Sequence, residues 1–236
     1  MEFWVYFATK PLFWLVVTLL VFITAIHFNR LVKGTPFLHP VLVSMAIIIS
    51  FLLATNTRYD VYFEGAQFIH FLLGPAIVAL AVPLYDHFSR IVEMWGQLLV
   101  VCFTGVIVAI LSVLAMGHLF GLPDEVLLSL APKSVTSPIA IGIAEKIGGL
   151  PSLAAGLVLI TGAMGGVLAP FVFRLLNVKD DSVKGFSLGL AAHGMGTAYA
   201  IEISTLAGAF AGLAMGLAGL LTAFLLPMVI SVMGIN

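Results

Sequence analysis

The stretch Leu130-Ala131-Pro132-Lys133-Ser134-Val135-Thr136-Ser137-Pro138-Ile139-Ala140 decides the fold. It sets a lysine and three hydroxyls between two prolines, within residues 125–147, and apolar runs flank that segment on both sides. Proline removes a backbone donor and clashes one turn back, so no continuous helix passes through. In lipid, unwound backbone is tolerated only where protein or a watery cavity covers it. The segment therefore reads as one that dips into a membrane and returns, with Pro132 to Pro138 at or near its tip.

Composition supplies the membrane. The chain has 236 residues, of which 61% are hydrophobic and 9% charged; an ordinary soluble domain carries about 25% charged residues. Mean hydropathy is +1.18. These values exclude a soluble enzyme, a disordered chain and a nucleic-acid binder. Ten basic and eleven acidic residues leave no polybasic patch. Apolar runs cover residues 12–26, 38–53, 68–84, 98–119, 153–176 and 206–233, with breaker-rich stretches at 125–147 and 185–203. At about 20 residues per span the chain holds at most roughly eight to nine crossings. No small-x-small cleavage site follows the first run, which reads as a retained transmembrane helix. The expectation is one integral membrane domain over residues 1–236: all-α, polytopic, with broken or re-entrant helices.

Two further segments look broken: Leu73-Gly74-Pro75-Ala76 with Val82-Pro83, and Ala191-Ala192-His193-Gly194-Met195-Gly196-Thr197-Ala198. An internal echo pairs residues 72–77 with 192–198, each followed by a long apolar run, as in transporters built from two repeats. Arg30 with Lys33, and Arg174 with Lys179 and Lys184, place two loops in the cytoplasm by the positive-inside rule. That assignment closes only if 125–147 returns to the side it left, and it puts the N-terminus outside. Whether 185–203 crosses or returns stays open, as does the side of the C-terminus. Trp4, Trp14 and Trp95 fit an interfacial aromatic belt.

Lys133 is the leading functional candidate, because an ionisable group at membrane depth is costly. Ser134, Thr136 and Ser137 are hydroxyl donors for a ligand. Pro138 opens a helix whose Ile139 and Ala140 amides would face an anion. A small carboxylate is the natural occupant; the plainer alternative is a loop lysine near the headgroups. Gly74, Pro75, Gly194, Gly196 and Thr197 are the facing candidates. His193 titrates near neutral pH and would carry a coupled proton, or else serves as a structural hydrogen-bonding residue. Glu202 is a second proton candidate or an interfacial acid. Cys102 reads as apolar packing. No metal site, cofactor or catalytic signature is expected.

Leu72-Leu73-Gly74-Pro75-Ala76 with Ala79-Leu80-Ala81-Val82-Pro83-Leu84-Tyr85, the 130–140 stretch, and residues 192–198 followed by Glu202 together resemble the LrgB/CidB family over nearly the whole chain. The resemblance implies a bacterial inner-membrane protein of the holin/antiholin-like kind that modulates murein hydrolase activity and autolysis. It implies a small LrgA/CidA-type membrane protein as partner. The family also resembles the C-terminal half of the plastidial glycolate/glycerate translocator, and some bacterial pairs are linked to pyruvate transport. Tyr199 stands where many relatives are expected to carry an arginine, which shifts weight to Lys133.

Two functions follow. One is secondary transport of small monocarboxylates; the other is a holin-like membrane lesion or its regulator. A holin needs no buried polar knot, so the residues favour transport. Expected partners are the carboxylate, the small membrane protein and lipid, with self-association left open and nucleic acid excluded.

Overall fold

The computed structural model describes residues 10–32 and 38–234, which are helical with no strand among them. Trp4 and Lys33 lie outside the described residues. Five helices among the described residues are long and apolar enough to cross a membrane: Pro11–Leu31, Tyr59–Asp86, Phe88–Leu119, Pro151–Leu175 and Thr205–Met233, with a shorter apolar helix at Pro40–Ala54. The chain divides into two compact units, Met1–Ala79 and Leu80–Asn236.

The first unit holds α1 (Pro11–Leu31), α2 (Pro40–Ala54), α3 (Tyr59–Phe71) and α4 (Leu73–Ala79). Pro11 and Pro40 open their helices, where the missing N–H costs no intrahelical bond. Trp14 is fully buried and meets Phe13, Phe51 and Tyr62 edge-on at 5.1, 6.1 and 5.6 Å. It is the core of this unit and not an interfacial residue, which corrects the belt reading for Trp14; Trp95 is exposed. Gly74 and Pro75 also differ from expectation. They sit in the first turn of α4, where proline is tolerated, and the interruption falls at Leu72.

The second unit holds α5 (Ala81–Asp86), α6 (Phe88–Leu119), α7 (Asp124–Leu130), α8 (Ser137–Ile147), α9 (Pro151–Leu175), α10 (Asp181–Ile203) and α11 (Thr205–Met233). Its organising feature is a pair of hairpins. In the first, α7 ends at Leu130, residues 131–136 form turns, and α8 runs back. The Leu150 amide donates to the Ser129 hydroxyl at 2.7 Å, so the chain returns to the place it left. Gly148, with φ 88°, ends α8 and turns the chain into α9.

The second hairpin lies within α10. His193 has φ 42° and ψ −127°, near the first central position of a type II′ turn, and it reverses the chain. Residues 181–192 run in and residues 194–203 run back, which brings Ser204 against the Asp181 carboxylate. The reversal explains why α11 runs parallel to the first limb. Gly185 packs on Ala207 and Gly189 on Ala211, backbone against backbone, with no room for a Cβ at either glycine. Lipid gives apolar surfaces no reason to associate, so such close contact between small residues is what holds helices together there.

The two hairpins start from opposite ends of α9, which at 25 residues is about 37 Å long and exceeds the bilayer hydrocarbon core of about 30 Å. α6 runs past both. Near its start Arg90 bonds Asp180 at 2.6 Å, at the base of the second hairpin. Further along, the Leu190 side chain covers Gly105. Ala131 and Ser134 of the first hairpin share a small gap with residues 105–110 of α6 and with Leu190. Near the end of α6, Leu127 covers Gly117 at the base of the first hairpin. Each hairpin thus leads into a long helix (α9, α11), and the two hairpin-helix sets are inverted. This is the two-repeat pattern expected, but the partner of residues 192–198 is the 130–140 break, not residues 72–77.

Candidate functional site: where the hairpin tips meet

The tips converge on the middle of α9. Val158 packs with Val135 and Ala140 of the first hairpin in one fully buried cluster. Its carbonyl oxygen lies 3.1 Å from Nε2 of His193, the tip of the second. A carbonyl only accepts, so Nε2 carries the hydrogen. The imidazole rests on Gly162, where an added Cβ would stand 2.8 Å from Cε1 and 3.0 Å from Nε2. α11 repeats the device for the other hairpin: a Cβ on Gly219 would stand 2.7 Å from the Ile139 side chain.

Both returning half-helices begin at this junction, α8 at Ser137 and the second limb of α10 at Gly194. Helix starts carry partial positive charge and N–H groups without intrahelical partners. The Ala140 amide is an exception to the reading made from sequence. It donates to the Thr136 carbonyl at 2.9 Å and is not free for a ligand, because the first turn of α8 already closes there. Thr136 is the N-cap, yet its hydroxyl makes no capping bond.

Lys133 lies partly buried in the break, its Nζ 3.5 Å from the Ser134 hydroxyl. Ser134 and Thr136 lie in the same break and Ser137 opens α8; all three are partly buried. Around the second tip the roles differ. Thr197 donates to the His193 carbonyl one turn back at 2.8 Å, so its hydroxyl is engaged within the hairpin. Gly196 is buried against Leu188 and Ala192 of the opposite limb, so it closes the hairpin and offers no opening to a ligand. Gly194 is exposed, with nothing within 4 Å of an added Cβ.

The remaining candidates lie elsewhere. Glu202 is exposed at the base of the second hairpin, nine residues beyond His193, or about 14 Å along a helix. Gly74 and Pro75 belong to the first unit and are exposed; an added Cβ at Gly74 meets nothing. No group of three or more histidines, cysteines or acids converges among the described residues.

Residues 18–232 match the LrgB-like family. The chain belongs to the LrgB-like family. Among its relatives, YxaC of Bacillus subtilis is 37% identical over 83% of this chain and 85% of its own length. YwbG of the same organism is 34% identical over 82% and 86%. The antiholin-like protein LrgB of Bacillus cereus is 30% identical over 95% and 97%. No solved structure matches.

In this LrgB-like chain, sequence reading misses Val158 and Gly162. Both lie in an ordinary apolar helix, and their part comes from His193, distant in the chain. One signal was available for the neighbouring contact of α10 with α11: small residues four apart, Gly185 with Gly189 and Ala207 with Ala211, mark close helix contact in membranes.

Proposed function

We propose that this LrgB-like protein is a secondary transporter of small monocarboxylates. The two hairpins act as re-entrant segments that approach from opposite faces of the membrane and meet near its middle. The single observation that carries the reading is that meeting at Val158, which joins Val135 and Ala140 of one tip to His193 of the other. Carriers of this build place the site between inverted repeats, at interrupted helices whose starts favour an anionic group. Lys133 supplies the charge; Ser134, Thr136 and Ser137 supply hydroxyls. His193 is the proton carrier, since Glu202 stands at the hairpin base.

The name of the Bacillus cereus relative, antiholin-like protein LrgB, favours a second reading: the holin/antiholin-like modulator of murein hydrolase activity and autolysis that the family resemblance implies. Such a protein would pair with a small LrgA/CidA-type membrane protein. Counterflow separates the readings. Proteoliposomes loaded with unlabelled pyruvate, lactate or glycolate transiently accumulate the labelled acid if a carrier is present. A pore only equilibrates it.

A further inference from the structure

An apolar groove of about 260 Å³ lies between α9 and the first limb of α10, lined by Gly165, Leu168 and Phe173 on one side and by Ser187, Leu188 and Ala191 on the other. It opens sideways, where Leu168, Ser187 and Ala191 are exposed. Gly165 lies ten residues from the end of α9 at Leu175, about 15 Å along the helix. That is half of a hydrocarbon core of about 30 Å, the depth of one leaflet. A dry cavity of about 150 Å³ already takes up benzene, so the groove accepts a stretch of alkyl chain. A helix, about 10–12 Å across with its side chains, does not fit within that volume. Ser187 is the only polar side chain among the lining residues, which leaves a carboxylate little to bond.

Charge gathers where the groove meets the hairpin base. The Val178 amide donates to the Phe173 carbonyl at 2.8 Å, which folds the 176–180 loop back over that end of the groove and sets Lys179 beside it. Lys184 stands one turn before Ser187 and Leu188, on the same face of α10. Its Nζ donates to Asp181 at 2.8 Å, which leaves two further N–H groups. Arg174, in the last turn of α9, adds a third cation at this end. Of the acids there, Asp180 is paired with Arg90 and Asp181 with Lys184, and Glu202 is exposed. Arg174 and Lys179 form no ion pair with a described residue, so positive charge is left over. The orientation read from charge puts this end at the cytoplasmic face, where basic pockets between membrane helices bind anionic headgroups.

We propose that this groove is a binding site for an anionic phospholipid, with one acyl chain lying between α9 and the first limb of α10 and the phosphate held by Lys179 and Lys184. The lipid would brace the second hairpin against α9 whether or not the protein is a carrier. The test is the unfolding midpoint of the purified protein in detergent, titrated with dioleoylphosphatidylglycerol or with dioleoylphosphatidylcholine. Wild type should gain about 5 °C at saturating phosphatidylglycerol, with little response to phosphatidylcholine of the same chains. Removing one lysine near a charged headgroup should raise the half-saturating concentration about fivefold, in Lys179→Gln and in Lys184→Gln alike. Ala191→Phe fills the groove from its exposed side and should abolish the response. Lys179→Gln lies in a loop and keeps the test open if a helix variant unfolds. Equal responses of wild type to the two lipids overturn the site. A phosphatidylglycerol response unchanged in Lys179→Gln or in Ala191→Phe overturns it too, since headgroup and chain are both required. If a second copy of the chain covers the groove instead, phosphatidylglycerol has no effect on wild type and Ala191→Phe lowers the oligomer mass seen by light scattering.

Discussion

His193 Nε2 donates to the carbonyl of Val158 at 3.1 Å, and this bond ties the tip of the second hairpin to the middle of α9. The residue is buried, and its positive φ is one that glycine normally takes. A histidine kept there implies that the imidazole offsets the strain. The hairpin would otherwise be easier to form with glycine.

The first prediction concerns that ring. Its neighbours on α9, Val158 and Gly162, carry no charge. His193→Gln keeps an N–H donor for Val158 but cannot titrate. Uptake measured between about pH 5 and 8, the range in which histidine titrates, should lose its pH dependence while the protein stays folded. An unchanged profile would remove His193 as the proton carrier.

Gly162 gives a prediction about packing. Gly162→Ala puts a methyl 2.8 Å from the His193 ring and 2.9 Å from the Met195 sulfur. Overpacking of this kind costs about 1–3 kcal/mol. Gly166 has nothing within 4 Å of an added Cβ, so Gly166→Ala should be neutral or gain up to about 1 kcal/mol in helix propensity. Unfolding midpoints in detergent should separate the two variants in that order. Equal midpoints would contradict the tight tip.

At the base of the second hairpin, Asp180 is held below the usual carboxylate range by the Ser182 hydroxyl above all, then by the Ser182 amide and the Arg90 guanidinium. Its folded value lies under its unfolded one, about 3.9. The stabilisation is therefore fully present above that value and disappears as pH falls through the folded one. The pair is nearly half exposed, so the effect is modest. Asp180→Asn should lower the unfolding midpoint slightly at pH 7, with the difference closing under strongly acidic conditions. A difference that widened in acid would refute this.

Topology follows from the second reversal. With residues 181–203 folding back, the charge-based orientation of the sequence analysis predicts that α11 starts on the cytoplasmic side and ends outside. Cys102 is buried, and the labelling series starts from Cys102→Ala. In that background, single cysteines at Lys179 and Gly121 should react with an impermeant maleimide from opposite sides, and one at Gly234 should share the side of Gly121. Labelling of positions 179 and 234 from one side would mean that α10 crosses the membrane.

Much of this architecture is legible in the residues. The apolar runs foretell the long helices to within a few residues at most ends; the exceptions are the starts at Tyr59 and Phe88, where the helices reach well ahead of the apolar runs through mixed polar and apolar residues. The prolines foretell the break at 131–136, because a missing donor and a clash are local facts. The reversal at His193 is not legible. A kink and a full turn in a glycine-rich stretch differ by the dihedrals of one residue, and packing against α9 and α11 selects between them. Gly196 and Thr197 belong to the hairpin for the same reason: their partners lie on a limb whose direction the sequence leaves open.

The most direct test of a carrier at the hairpin junction pairs uptake with leakage. Proteoliposomes would contain wild type or Lys133→Ala, with a trapped dye too large for a carrier. The expected result is saturable uptake of a small monocarboxylate by wild type, its loss in Lys133→Ala, and dye retained in both. Dye release without saturable uptake would mean a pore, and full uptake by Lys133→Ala would remove the site from the Pro132 to Pro138 turn.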